Sequence, residues 1–384
     1  MRRRYHGSPP EWMAALGSGS PHYVSFLSDL LRPELADAKP YLPTPGNFRL
    51  RLDANEAPGL FEPSVRERLV RAFGDLALER YPDATAAKLR SAVAERLKVD
   101  PSELLMGVGS DEILALLVTA LAKPRRASEP PIVLTTSPTF VMYKMSARLR
   151  GLRVIEVPLD ADWDLSEESM LRALEIGPPH LVFIASPNNP TGTLMNRERL
   201  ERVIQAAPRS LVVVDEAYVD YADRSELELY RTYENVAVLR TLSKVGFAAL
   251  RIGWLVGRPE LVRELDKVRL PYNASGVAQA LGAVVVGELW DDVLGVVKAV
   301  RSERERLAVA LGALPGFAVA PRQANFLWVK TPGPAEGVFR GLAERGILVR
   351  SFHESGGRLS QQLRITVGSP AENDELVRCI RELA

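Results

Sequence analysis

From about residue 85 the apolar and polar positions of the chain settle into a regular rhythm. TAAKLRSAVAERL has helical spacing, and GVGSDEILALLVTALA predicts a second helix opened at a Gly/Ser turn. Short β-rich runs follow, separated by helical stretches: PIVLTTS, LRVIEVPL, HLVFIAS, SLVVVDEAY and NVAVLRTLS. Runs that are apolar on both faces and alternate with helices predict a mostly parallel sheet covered on both sides. RIGWLVG breaks the rhythm. Only about ten residues separate it from NVAVLR, too few for a helical crossover, so an antiparallel strand is expected there.

The flanking regions differ in texture. Residues 1–50 mix Gly, Pro and Ser with short apolar pieces and read as an arm, a helix plus an extended lead-in. After LPYN, a long helical region at roughly 275–311 precedes FAVAPRQANFLWVK, a helix, GILVRSF and QLRITVG. Two helices with short strands predict a smaller α+β domain. The expected division is an arm at 1–50, a large domain at 51–272 whose first part can pack with the small domain, and a small domain at 273–384.

Composition narrows the classes. A chain of 384 residues calls for two domains, and 46% apolar with 25% charged residues is ordinary for a globular protein. A formal net charge of +1 gives no general attraction to nucleic acid or anionic lipid, so any anion must be met by a local cluster. One cysteine, Cys379, excludes an intramolecular disulfide and a cysteine-based zinc site. His6, His22, His180 and His353 lack ligand spacing, so no metal site is expected. Pro9, Pro10 and Glu11 interrupt the basic start, and no run approaches ~18 apolar residues. Neither an export signal nor a membrane span is expected, and the cytoplasm is the expected location.

The chemistry collects at the carboxyl ends of the expected strands, where open α/β sheets bind ligands. PIVLTTS runs into PTFVMY, HLVFIAS into PNNPTG, SLVVVDEAY carries Asp215 and Tyr218, and NVAVLRTLS delivers Lys244. Singly, each is ordinary: a lone lysine is usually solvated, and Asn-Pro pieces are turn chemistry. Jointly they suit pyridoxal 5′-phosphate, which needs an amine, a carboxylate at its ring nitrogen, a partner for its phenolic oxygen and an anion cradle. Lys244 can be the amine and Asp215 the carboxylate. Asn189 and Tyr218 can bond the phenolic oxygen, and Phe140 can stack on the ring. The cradle would be Ser243, Arg251 and the backbone amides of Gly109, Ser110 and Asp111 at a helix N-terminus, and Thr241 and Ser243 beside Lys244 read as phosphate ligands or as groups that position the bond between Lys244 and the aldehyde.

With these residues in place, the chain resembles the fold-type I pyridoxal-phosphate aminotransferases, an α/β fold with a mostly parallel central sheet and a smaller α+β domain. SPNNPTG, DEAYVDY and TLSK with the later LRIG carry that likeness. DANEAPG, RYPD, GVGSDE, KVRLPYN, ANFLWV and LRITVG, in this order, make it most similar to the histidinol-phosphate aminotransferase branch. The resemblance runs from about LRLDANEAPG to the C-terminus.

It implies that Lys244 binds the cofactor covalently and then shuttles a proton. Tyr81 of RYPD would reach the cofactor phosphate of a partner subunit, which makes an obligate homodimer with shared sites. Arg364 would pair with a substrate α-carboxylate, and Arg350 with a substrate phosphate, helped by Tyr41; Asn55 and Asn189 would line the same site. A structural salt bridge is the alternative reading of either arginine. Phe140 stands where many relatives have tyrosine, FAALR where they have LAGLR, and the first forty residues match nothing in the family.

The implied reaction is transfer of an amino group from L-histidinol phosphate to 2-oxoglutarate. An aromatic amino acid or another phosphorylated amine is the alternative donor. Other classes lack their features. No basic helix-turn-helix suggests a DNA-binding regulator, GVGSDE lacks the third glycine of a dinucleotide fingerprint, and no Gly-x-Ser-x-Gly suggests a hydrolase.

Overall fold

The structure is a computed structural model that describes residues 29–35, 40, 44–127 and 129–383. Tyr41 lies outside the described residues. The chain builds two sheets. The larger has seven strands: β2 (Leu104–Val108), β3 (Ile132–Ser137), β4 (Arg153–Pro158), β5 (Leu181–Ala185), β6 (Leu211–Asp215), β7 (Val236–Thr241) and β8 (Ile252–Val256). Their spatial order is β2-β8-β7-β6-β5-β3-β4. The β3–β7 pairings are parallel, whereas β8 runs antiparallel to both β7 and β2. The antiparallel strand expected at RIGWLVG is β8.

Both faces of this sheet are buried, as continuous apolar strands require. Val182, Ile184, Val212, Val214, Val236 and Val238 enter one core. Their neighbours Leu181, Phe183, Val213, Ala237 and Leu239 enter another, against the helix Gly109–Ala120. Because β2 runs parallel to β7, the N-terminus of that helix opens at the same sheet edge where β3, β5, β6 and β7 end. This shared edge positions the site.

The second sheet has five strands, β1 (Leu50–Leu52), β9 (Ala318–Val319), β10 (Phe326–Lys330), β11 (Ile347–Ser351) and β12 (Gln362–Thr366), ordered β1-β11-β12-β10-β9. β1 pairs in parallel with β11, so the start of the segment expected in the large domain contributes to the small sheet. The expected boundary at residue 273 also falls elsewhere. The helix Gly276–Gly287 and the first half of the helix Trp290–Gly312 pack into the large core through Val285, Val293 and Val300. Along that helix, the core of the smaller layer, which also holds Leu50 and Leu52 of β1, starts only at Leu307. One long helix serves both cores: its buried face is apolar up to Val300 and again from Leu307, with the buried Glu303 and Arg304 at the crossing between the two sheets.

Among the described residues, no helix is long and apolar enough to cross a membrane.

Candidate active site

The strand ends, the helix N-terminus and the inner face of the small sheet enclose one cavity. It is lined by residues that include Asn55, Ser110, Asp111, Phe140, Asn189, Asp215, Tyr218, Thr241, Ser243, Lys244, Arg251 and Arg364. Period-two alternation explains the placement of Asp215. It shares a face with Val213, and it emerges buried on the side of Tyr143, whose hydroxyl donates to Asp215 Oδ2 at 2.7 Å. The Ala217 N–H donates to Oδ1 at 3.0 Å. Burial pushes the Asp215 carboxyl up to about 6, against the two hydrogen bonds and the nearby Lys244, which lower it. Burial likewise raises the Tyr143 hydroxyl well above its ordinary value, so it keeps its proton and donates.

Lys244 ends a short 3-10 turn, Leu242–Lys244, that caps β7. It is half-buried, with Nζ 5.7 Å from the Tyr218 ring centroid. The turn is held by Thr241: Oγ1 accepts from the Ser243 N–H at 3.1 Å and donates to the Ile252 carbonyl at 2.9 Å. Ser243 Oγ accepts from Arg251 Nη1 at 3.2 Å, and Arg251 Nη2 lies 3.1 Å from Asp111 Oδ2. Two glycines make this cradle possible. Gly109 has φ +73°, and a Cβ there would stand 2.5 Å from Arg251 Nη2. A Cβ on Gly253 would lie 2.7 Å from the Ser110 nitrogen, so only glycine lets the helix N-terminus approach β8. Arg251 and Asn55 hold left-handed backbones at φ 51° and 56°, each costing about 1–3 kcal/mol that the surrounding structure must offset.

The smaller sheet supplies the opposite wall. Arg350 on β11 and Arg364 on β12 are direct cross-strand partners, so both side chains project from one face. Arg364 Nη1 donates to Asn189 Oδ1 at 2.6 Å, and Nη2 donates to the Asp53 carbonyl. Arg350 lines an adjoining recess with Asp53, Glu56, Thr139 and Phe352, a recess that shares Phe140, Asn189 and Arg364 with the cavity.

Asn55 lines the cavity, as expected, and has a further contact there. It is fully buried, and its Nδ2 donates to the Tyr218 hydroxyl at 2.8 Å. Its own carbonyl accepts from Asn325 Nδ2 at 2.9 Å, and its N–H donates to Thr366 Oγ1 at 3.0 Å. It therefore orients Tyr218. Tyr81 is not in this cavity: it is 83% exposed and stacks on Tyr272 at 4.8 Å.

Sequence reasoning missed Tyr143 and Asn325. Tyr143 was findable, one helical turn past Phe140 in PTFVMY, the spacing at which two side chains of a helix start share a face. Asn325 stands in the ANFLWV motif, which marked the segment but not the partner its side chain reaches.

The arrangement combines an amine, a buried acid and an anion cradle, with two guanidinium groups opposite. The family described as aminotransferase class I and II matches residues 49–380. The chain is 38% identical over 367 residues to the histidinol-phosphate aminotransferase of Methylibium petroleiphilum, covering 95% of this chain and 97% of that one. It is 38% identical over 357 residues to that of Chromobacterium violaceum, covering 92% and 98%. The crystal structure of histidinol-phosphate aminotransferase from Sinorhizobium meliloti in complex with pyridoxal-5′-phosphate superimposes with a TM-score of 0.80 at 26% identity, covering 92% of this chain and 97% of that one.

Proposed function

Since the chain belongs to the class I and II aminotransferases, we propose that it moves the amino group of L-histidinol phosphate to 2-oxoglutarate. The products are imidazole acetol phosphate and L-glutamate, and the cofactor is pyridoxal 5′-phosphate. When bound, the cofactor supplies an aldehyde for the amino group and a ring that withdraws electrons from the carbon bearing it.

The residues of the cavity fit that group. The missing Cβ of Gly109 lets the Arg251 guanidinium lie against the helix N-terminus, which suits a phosphate held by both and by Ser243. Asp215, whose burial disfavours its charge, gains a compensating cation if it faces a protonated ring nitrogen. Asn189 spends its Oδ1 on Arg364, which keeps Nδ2 for the phenolic oxygen, and Tyr218, accepting from Asn55, keeps its own hydrogen to donate. Lys244 would hold the aldehyde carbon and, once displaced by substrate, move the proton of the carbon being deaminated.

The observation that carries the substrate is the Arg350–Arg364 pair. L-Histidinol phosphate has a phosphate ester where histidine has its carboxylate. The two anions expected on separate arginines are therefore one group in the donor, and a dianion suits two adjacent guanidinium groups. The carboxylate of 2-oxoglutarate would take the same place over Arg364 in the second half of the cycle. The names of the relatives at 38% identity support this donor.

The proposal includes a homodimer in the cytoplasm. Tyr81, Leu78, Leu270 and Tyr272 are exposed together in chain order around the 270–272 turn and the RYPD segment, apolar surface that suits a second copy. A monomer by light scattering that still transaminates would remove this part. Half-reaction rates with histidinol phosphate, phenylalanine and O-phosphothreonine test the donor. Histidinol phosphate should react fastest, and faster reaction of phenylalanine would replace the reading with an aromatic aminotransferase.

A further inference from the structure

We propose that Glu216 and Arg240 are positioning residues that set the span between Asp215 and Lys244. The inference rests on the roles proposed for those two residues. β6 and β7 pair in parallel with Asp215 opposite Leu239, so Glu216 and Arg240 are the next neighbours beyond the last paired residues. Both point away from the cavity, on the face opposite Asp215 and Thr241. Each is one residue from a cavity-lining side chain, and Arg240 is four residues from Lys244.

The contacts between them are many and buried. Arg240 Nε donates to Glu216 Oε2 at 2.8 Å, and Nη2 stands 2.7 Å from the same oxygen as an ion-pair contact. Glu216 is 1% exposed and also accepts from Ser225 Oγ at 3.0 Å and from the Glu226 N–H. The Glu216 N–H donates to the Leu239 carbonyl at 2.8 Å, and Arg240 Nη2 also donates to Ser225 Oγ at 2.7 Å. Glu226, fully buried behind this pair, is itself held by Arg197 at 2.6 Å and Arg224 at 3.1 Å.

A buried ion pair is a poor source of stability, because desolvation offsets its Coulomb attraction and apolar residues of the same volume often do as well. What a planar guanidinium bonded at once to a carboxylate and to the hydroxyl beside it supplies is fixed distance and angle. Here it locks two strand ends at the point where the backbone turns to deliver an amine from one and a carboxylate from the other. Displacements of about 1 Å at such a place can cost ~10²-fold in rate.

The test separates geometry from folding and from cofactor affinity. Arg240→Lys keeps the charge and loses the paired bonds; Glu216→Gln keeps the shape and loses the charge. In a Lys244→Ala background, which binds the cofactor without a covalent bond, either change should leave the Kd for pyridoxal phosphate within about twofold. With Lys244 present, capture of pyridoxal phosphate into a borohydride-reducible adduct should slow about tenfold, and kcat should fall about tenfold with KM within about twofold.

Wild-type capture rate and kcat in both variants would overturn the inference. So would loss of folding in both, or a rate loss matched by a loss of cofactor affinity, since the pair would then serve only the fold. If the wild-type protein forms no reducible adduct at all, the proposed role of Lys244 falls first, and this inference with it.

Discussion

The two walls of the cavity are built on different principles. The wall from the seven-stranded sheet takes its groups from the ends of parallel strands, each followed by a turn: Asp215 closes β6, and Lys244 stands in the turn after β7. The wall from the five-stranded sheet takes Arg350 and Arg364 from within strands, where cross-strand register alone brings them face to face. On the first wall the charges have partners already present: Asp215 accepts from Tyr143 and Ala217, and Arg251 meets Asp111. On the second, Arg364 is held by neutral groups, Asn189 and the Asp53 carbonyl, and it projects beside Arg350. The first wall is suited to a resident group held for many turnovers and the second to anions that come and go.

If that contrast is right, removing Lys244 should have the largest effect. Lys244→Ala should abolish the borohydride-reducible adduct and lower turnover on the order of 10⁴-fold or more, read in a single-turnover assay. Arg364→Ala comes next. It should lower kcat/KM by roughly 10²–10³ for both donor and acceptor, because a bidentate charge-assisted contact contributes about 3–4 kcal/mol and both substrates use it. A loss confined to one substrate would mean that the two anions do not share this site.

Asp215→Asn should act on the first wall, on activity and on the pH dependence of stability. The folded protein raises this carboxyl from 3.8 to about 6. It therefore binds a proton more tightly folded than unfolded, and stability falls as pH rises between those values. At pH 7 the penalty is complete, just over two units or about 3 kcal/mol. Between pH 4 and pH 7 the cofactor-free Asn variant should gain about that much on the Asp215 protein, from whatever difference the two show at pH 4, while its turnover collapses. The same difference in urea midpoint at both pH values would contradict the burial argument. The smallest effect is Arg350→Ala, which should cost about tenfold in kcat/KM with histidinol phosphate and nothing with phenylalanine.

The same contrast governs how much could be read from the chain. The alternation of β runs and helices predicted the parallel sheet, because burial on both faces writes itself into every strand. The shortness of the link before RIGWLVG predicted the antiparallel β8. The polar groups of the first wall were legible because strand ends and the turns after them are contiguous: Asp215 with Tyr218, Thr241 with Lys244. The boundary between the cores was not legible, because the buried Glu303 and Arg304 that mark it on the helix Trp290–Gly312 stand in the charged run RSERER, and only packing says that these two face inward and which sheet each part covers.

By itself, then, the order of residues determined the fold class and the polar groups, Lys244 among them, offered at the strand ends, since these depend on local periodicity and on neighbours within a few positions. Tertiary structure alone decided that Arg350 would face Arg364, that Tyr143 would bond Asp215 across 72 positions, and that Asn55 would hold Tyr218 across 163. Such pairs are set by register and by the docking of one sheet on the other, and a polar residue bound for a distant partner carries no local mark of that partner.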